Sequence, residues 1–434
     1  MFVNDCLNVN EKGHLTIGGC DTVELAKKYG TPLYVLDENV IRSTCKAYVD
    51  SFKRHYDGKG LALYASKALS CKALCEIAKE ENMGLDVVSG GELYTALKAG
   101  FPVENIHFHG NNKTYDEICF AVDSNIGKIV VDNLTELETL DKICGEKGKV
   151  QKISMRIKPG VDAHTHNFIR TGQIDSKFGF ALETGEAMNA VKEAIELKNV
   201  ELCELHCHIG SQIFDIDPFV TAAEIMMDFI GAIKNETGHV ITELNLGGGF
   251  GIKYTDNDNP TAYDNYMNSV SKAVHAKAEQ YDLPVPFVYI EPGRSIVGEA
   301  GITLYTVGAV KTIPDVRTYV SIDGGMCDNI RYALYQSEYT VVTANKADKE
   351  ADTVVTIAGK CCESGDLIQE NTKIAKAEPG DTIAVLSTGA YNYSMASNYN
   401  RIPKPPIVLV NNGTDKLIVK RESYEDLIKN DLDL

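Results

Sequence analysis

Leu61-Ala62-Leu63-Tyr64-Ala65-Ser66-Lys67-Ala68 (LALYASKA) is a short apolar run that closes on a lysine. An apolar run of this length bounded by polar residues suits a strand buried on both faces, as in a parallel sheet. Seven further runs follow it: Gly84–Val88, Asn105–His109, Lys128–Val131, Ile153–Ile157, Leu202–Ile209, Thr242–Leu246 and Phe287–Ile290. Between them lie amphipathic stretches at Cys71–Glu81, Gly91–Ala99, Thr135–Cys144, Gly185–Leu197, Pro218–Ile233 and Tyr263–Gln280. Eight strands alternating with helices or loops over about 230 residues predict an α/β fold, a (β/α)8 TIM-like barrel.

Beyond about residue 300 the pattern changes. Ile302–Ile313, Thr318–Ile322, Tyr339–Val342, Asp352–Ala358, Thr382–Leu386 and Pro406–Val410 are β-branched runs separated by Gly, Asp, Asn and Pro, and helical periodicity returns only at Tyr424–Ile428. This predicts a second, all-β domain of the sandwich or barrel kind. Leu15–Ile17 and Leu33–Leu36 read as strands that join it. The expected division is therefore a barrel over 37–300 and a β-domain from 1–36 and 301–434. A chain of 434 residues is in any case too long for one core.

The net charge is −18. That argues against nucleic acid, whose phosphates are bound by Lys and Arg, and against an anionic membrane surface. No run approaches the roughly 18 apolar residues of a spanning helix. The polar N-terminal stretch does not read as a signal peptide. The twelve cysteines form no CxxC pair, which suits reduced thiols in a cytoplasmic protein.

Active sites of such barrels sit at the C-terminal ends of the strands. The first run ends on Lys67, a residue able to form a Schiff base when held among apolar neighbours. The sixth ends His206-Cys207-His208-Ile209-Gly210-Ser211-Gln212, with two histidines that strand alternation turns to one face. A metal pair is an alternative there, repeated in spacing by His107/His109 and His164/His166, but nothing in the pairs specifies the remaining ligands. The seventh ends Gly247-Gly248-Gly249, whose backbone N–H groups can close around a phosphate. The eighth ends Glu291-Pro292-Gly293-Arg294. A carboxylate there can keep a pyridine nitrogen protonated, and an arginine can grip a carboxylate or phosphate. A Schiff-base lysine, a phosphate cradle, an anion for a ring nitrogen and a histidine to stack on a ring together suit pyridoxal 5'-phosphate (PLP).

The motifs YASKA (64–68), LDVVSGGEL (85–93), TGQIDSKFG (171–179), HCHIGSQ (206–212), GGGFGIKY (247–254), EPGRSIVGEAG (291–301), DGGMCDNIRYALY (323–335), CESGD (362–366) and GAYNYSMASNYN (389–400) occur in this order. In them the chain resembles the fold type III, alanine-racemase-like PLP decarboxylases, which include ornithine decarboxylase. The likeness is nearest to members acting on meso-2,6-diaminopimelate to give L-lysine and CO2, the final step of lysine biosynthesis.

The resemblance implies catalytic roles for Lys67, His208, Glu291 and Cys362. It implies cofactor contacts from Lys67, Asp86, His208, Ser211, Gly248, Gly249, Glu291 and Tyr391. Arg294, Arg331, Tyr335, Glu363 and Tyr391 would bind substrate. The two arginines and Glu363 have the charge pattern for a distal amino-carboxylate. It also implies a homodimer with shared active sites, Cys362 and Glu363 reaching into the partner's site, and no metal. His164–Arg170 with TGQIDSKFG would form a mobile active-site loop. Cys327 and Tyr332 depart from the family pattern.

Overall fold

The computed structural model describes residues 2–161 and 176–434. The expected loop, His164–Arg170 with most of TGQIDSKFG, lies outside the described residues, as does the His164/His166 pair. Two compact units divide the chain: Thr44–Gly251 with Pro260–Gly293, and Met1–Ser43 with Ile252–Asn259 and Arg294–Leu434.

The first unit is a barrel of eight parallel strands: β1 (Gly60–Ala65), β2 (Gly84–Val87), β3 (Ile106–Phe108), β4 (Lys128–Val131), β5 (Gln151–Lys158), β6 (Val200–His206), β7 (Glu243–Asn245) and β8 (Phe287–Ile290). Each pairs with the next, and Val288 to Ile290 of β8 lie beside Gly60 to Ala62 of β1, which closes the ring. All eight coincide with the apolar runs read from the sequence. Parallel strands covered by helices bury both faces, so the runs are nearly continuous rather than alternating. A short strand, Phe180–Ala181, adds to β5.

Helices start where polar side chains cap them. Ser89, Thr114 and Asn133 each accept a backbone N–H at the start of Gly90–Lys98, Tyr115–Asp123 and Leu134–Glu146. Helices Glu38–His55 and Tyr115–Asp123 escaped the sequence reading. The first is interrupted by polar residues and the second is only nine residues long.

Successive inward positions form polar layers inside the barrel. In the lower layer, Lys128 Nζ lies 3.0 Å from Glu204, 3.0 Å from the Tyr289 hydroxyl and 3.4 Å from His107, and pairs closely with Glu243. A buried ammonium is tolerable only with such partners. Two residues further along the same strands come His109, His206, Asn245 and Glu291, which form the layer above.

In the second unit the main sheet runs Leu367–Ile374, Thr353–Ala358, Arg317–Ile322, Gly301–Ile313, Leu33–Asp37, Ile407–Asn411, Thr414–Val419. Thr382–Val385 also pairs with Gly301–Ile313 and with Val341–Thr343. Leu33–Asp37 thus joins the β-sheet, whereas Leu15–Ile17 lies in a separate three-stranded sheet of the same unit. The long strand Gly301–Ile313 feeds two cores. Ile302 and Leu304 pack with Leu15, Ile17 and Val408, and Tyr305 and Val307 with Val320, Ile357 and Ile368. Strands Leu367–Ile374 and Thr414–Val419 were not legible in sequence, because their apolar residues are diluted by Gln, Glu, Asn, Asp and Lys at the sheet's edges.

Candidate active site

In the barrel unit, β1 stops at Ala65 and the chain turns through a short 3-10 helix, Ser66–Ala68, which carries Lys67. Lys67 Nζ stands 3.6 Å from Asp86 Oδ2 at the end of β2, and its side chain is 38% exposed while that of Asp86 is fully buried. Glu92 ties these two strand ends together. Its Oε2 accepts from Ser66 Oγ at 3.0 Å and from the Val88 N–H at 2.8 Å, while Ser89 caps the helix that bears Glu92. The sequence reading did not single out Glu92. Its S-x-x-E spacing from Ser89 is the signal that finds it.

β6 ends at His206, so the strand alternation that put His206 and His208 on one face does not reach His208. Their ring nitrogens go to different partners. His206 Nε2 lies 3.2 Å from Glu291 Oε2, and His208 Nδ1 accepts the Gly248 N–H at 3.2 Å. His109 joins His206 on Glu291, with Nε2 2.9 Å from Oε1. The His109, His206 and Glu291 donor atoms lie within 4.8 Å of one another; His206 hydrogen-bonds the carboxylate, whereas His109 meets it as a close ion-pair contact without hydrogen-bond geometry. Asn245 Nδ2 donates to Glu291 Oε1 at 2.8 Å. His109, His206 as a Glu291 partner, and Asn245 were missed, since spacing identifies a shared face and not the residue met across the barrel.

Burial alone raises a carboxyl pKa, yet Glu291 is held well below the usual range because His109 and His206 outweigh burial. Burial pushes Asp86 up, against His109 and Lys67. Burial, reinforced by Lys67 and Arg156, drives His208 well below its ordinary value, so its ring is neutral.

Gly247, Gly248 and Gly249 make the turn after β7. A Cβ on Gly248 would stand 2.2 Å from the Glu291 carbonyl oxygen. Gly249 has φ +115°, and a Cβ there would stand 2.7 Å from the Gly210 carbonyl. Only glycine lets this turn pass so close to its neighbours with backbone exposed. Ser211 lies in the segment after β6, whose Ile213 N–H donates to the Gly249 carbonyl at 2.9 Å.

The second unit holds its own cluster. Arg294 Nη1 donates to the Tyr254 hydroxyl at 2.6 Å and its guanidinium stacks 4.8 Å from the Tyr391 ring centre. Arg331 lies 5.8 Å from the same ring and 5.2 Å from that of Tyr335. Tyr391 is held at φ +62°, an uncommon conformation for a bulky residue. Tyr254 and Tyr339 meet edge to face at 5.4 Å, two further members that no motif announced. Cys362 and Glu363 sit apart on the connection between Thr353–Ala358 and Leu367–Ile374, both exposed. The Cys362 N–H donates to Asn400 Oδ1 at 2.7 Å, and Glu363 makes no ion pair among the described residues.

A pyridoxal-dependent decarboxylase family, represented by its pyridoxal-binding domain, matches residues 39–298. Diaminopimelate decarboxylase of Bacillus subtilis is 50% identical over 100% of this chain and 98% of its own length. The chain belongs to the diaminopimelate decarboxylase family. The Bacillus methanolicus member is 51% identical over 97% of this chain and 98% of its own. The crystal structure of the M. jannaschii diaminopimelate decarboxylase in co-complex with L-lysine has a TM-score of 0.91 at 38% identity, covering 100% of this chain and 99% of that one. The family is one of carboxy-lyases, and its two-part fold is the one described above. Among the described residues no helix is long and apolar enough to cross a membrane.

The residues present fit the family's cofactor. Asp86, buried beside Lys67, has no hydrogen bond to either carboxylate oxygen among the described residues. The glycine turn leaves no room for a side chain at Gly248. Glu291 remains anionic in a buried site.

Proposed function

We propose that this chain decarboxylates meso-2,6-diaminopimelate to L-lysine and CO2 with PLP, as the final step of lysine biosynthesis, in the cytoplasm and as a homodimer with shared active sites. The observation that carries the reading is Glu291, a buried carboxylate kept ionised at the same end of the barrel as Lys67. Full-length identity of about half to proteins of this name supports the substrate.

Bound PLP supplies an electron sink for the pair left when CO2 departs. Lys67 Nζ is the group that holds it covalently, with Asp86 alongside. Glu291, as a buried anion, would hold a proton on the cofactor's ring nitrogen, a charge that would count most as negative charge develops in the transition state. His208, neutral, offers a flat uncharged face to the ring. Gly248, Gly249, Ser211 and Tyr391 border the phosphate.

Arg294 and Arg331, with Tyr335 and Tyr391, bind the distal end of the substrate, with Glu363 for its ammonium. Clamping that end would fix how the reacting carbon is presented, and so would favour loss of the carboxylate over loss of hydrogen. Either Lys67 or Cys362, the latter supplied by the partner subunit's copy of the 359–366 connection, would return a proton to that carbon.

The test is CO2 release by the PLP-loaded protein with meso-diaminopimelate, compared with ornithine, arginine and carboxynorspermidine. Turnover of diaminopimelate alone is expected. Preference for any of the others removes the substrate assignment.

A further inference from the structure

Three side chains from three different parts of the barrel converge on Glu291. Asn245 donates to Oε1 at 2.8 Å and His206 Nε2 hydrogen-bonds Oε2 at 3.2 Å, while His109 Nε2 stands 2.9 Å from Oε1 as an ion-pair contact without hydrogen-bond geometry. The two rings touch edge to face, centroids 4.8 Å apart. The two histidines are not equivalent. His109 Nε2 also lies 3.7 Å from Asp86 Oδ1, whose other oxygen faces Lys67 at 3.6 Å. Asp86, His109, His206, Asn245 and Glu291 are all buried. Beyond them, the charged and titratable groups facing this cluster are Lys67, Arg156, His208, His107, Cys207 and Glu92.

Two buried carboxylates at either side of one imidazole stay ionised together only if that ring carries charge. A histidine serving a single carboxylate needs only to donate one hydrogen bond. We infer that His109 is a positioning residue: a charged ring shared between Asp86 and Glu291 that keeps the Glu291 carboxylate ready for the cofactor's ring nitrogen, while His206 serves that carboxylate as a neutral donor. This deepens the role given to Glu291 above and rests on it. Supporting it, burial would lower the His109 pKa but Asp86 and Glu291 raise it, whereas burial brings His206 down to about 4. His206 Nδ1 has no hydrogen-bond partner among the described residues, as the Nε2–H tautomer of a neutral ring allows.

The test compares His109→Gln and His206→Gln as PLP-loaded enzymes. Two readouts are followed against pH: kcat for CO2 release from meso-diaminopimelate, and the visible absorbance of the bound cofactor. Without the cation between the carboxylates, Glu291 takes a proton at higher pH. In His109→Gln the acid limb of kcat and the acid transition of the spectrum should both move up by about one unit or more, with KM within about threefold. In His206→Gln, where the amide N–H can replace the hydrogen bond that a neutral imidazole gives Glu291, both should move by clearly less than in His109→Gln, by about 0.3 unit. An unmoved acid limb in His109→Gln, or equal movement in the two variants, overturns the inference.

Should His109→Gln fail to fold, 15N spectra of the wild-type holoenzyme decide. One buried histidine assigned to position 109 should be doubly protonated at pH 8, and a neutral His109 ring overturns the inference. Wild-type enzyme inactive on diaminopimelate would fault the proposed substrate, while the spectra would still judge His109.

Discussion

The backbone N–H of Gly248 donates to Nδ1 of His208 at 3.2 Å. An acceptor nitrogen carries no proton, so His208 must hold its single proton on Nε2. Burial, with Lys67 and Arg156 nearby, keeps the ring from taking a second one. Nitrogen-15 spectra of labelled protein at pH 7 should show His208 as the neutral Nε2–H tautomer. A doubly protonated ring, or the Nδ1–H tautomer, would contradict this bond.

The same glycine sets a steric demand. Gly248 leaves 2.2 Å between an added Cβ and the carbonyl oxygen of Glu291, a backbone atom that cannot swing aside. Gly248→Ala should therefore cost about 1–3 kcal/mol of stability and weaken PLP binding by about tenfold or more. Urea unfolding and a cofactor titration check it, and an alanine variant with native cofactor affinity would remove the turn from the phosphate site.

Lys67 is the only residue given the covalent role. Lys67→Ala mixed with PLP should lack the visible absorbance band of the wild-type holoenzyme and release no CO2. An unchanged spectrum takes Lys67 out of that role.

Arg331 stacks near Tyr335 and Tyr391 and is proposed to bind substrate rather than cofactor. Losing charge-assisted hydrogen bonds of about 1.5–3 kcal/mol should raise KM for diaminopimelate about 10- to 100-fold on Arg331→Ala. The PLP dissociation constant should change by less than about threefold. Parallel loss of both would make Arg331 a structural residue.

Cys362 is exposed on its own chain, and its proposed place is the partner's site. If Lys67 and Cys362 of one site come from different subunits, mixing the inactive variants Lys67→Ala and Cys362→Ser rebuilds one intact site in each mixed dimer. Random mixing makes half the dimers mixed, so activity should recover to about a quarter of wild type. No recovery would place both residues in the same subunit's site.

Much of this protein follows from local pattern. The eight barrel strands are legible because strands covered on both faces are written as apolar runs, and LALYASKA, HCHIGSQ and EPGRS fall at the ends where barrel chemistry sits. Lys67, His208, the glycine turn and Glu291 stand out as candidates from the strand ends, whereas Asp86 is reached only through the family resemblance. The weaker strand Leu367–Ile374 and the helix Glu38–His55 could not, since half-exposed elements mix polar residues into their periodicity. Tertiary structure alone decided which groups meet across the barrel. Glu291 is held by residues 46, 85 and 182 positions away in the chain, Asn245, His206 and His109. A spacing of two says that His107 and His109 face inward, but closure of the ring, through the stagger of its strands, determines that one meets Lys128 and the other meets two carboxylates. Their protonation states follow from that meeting, because burial and neighbouring charge act through space and leave no mark on the order of residues.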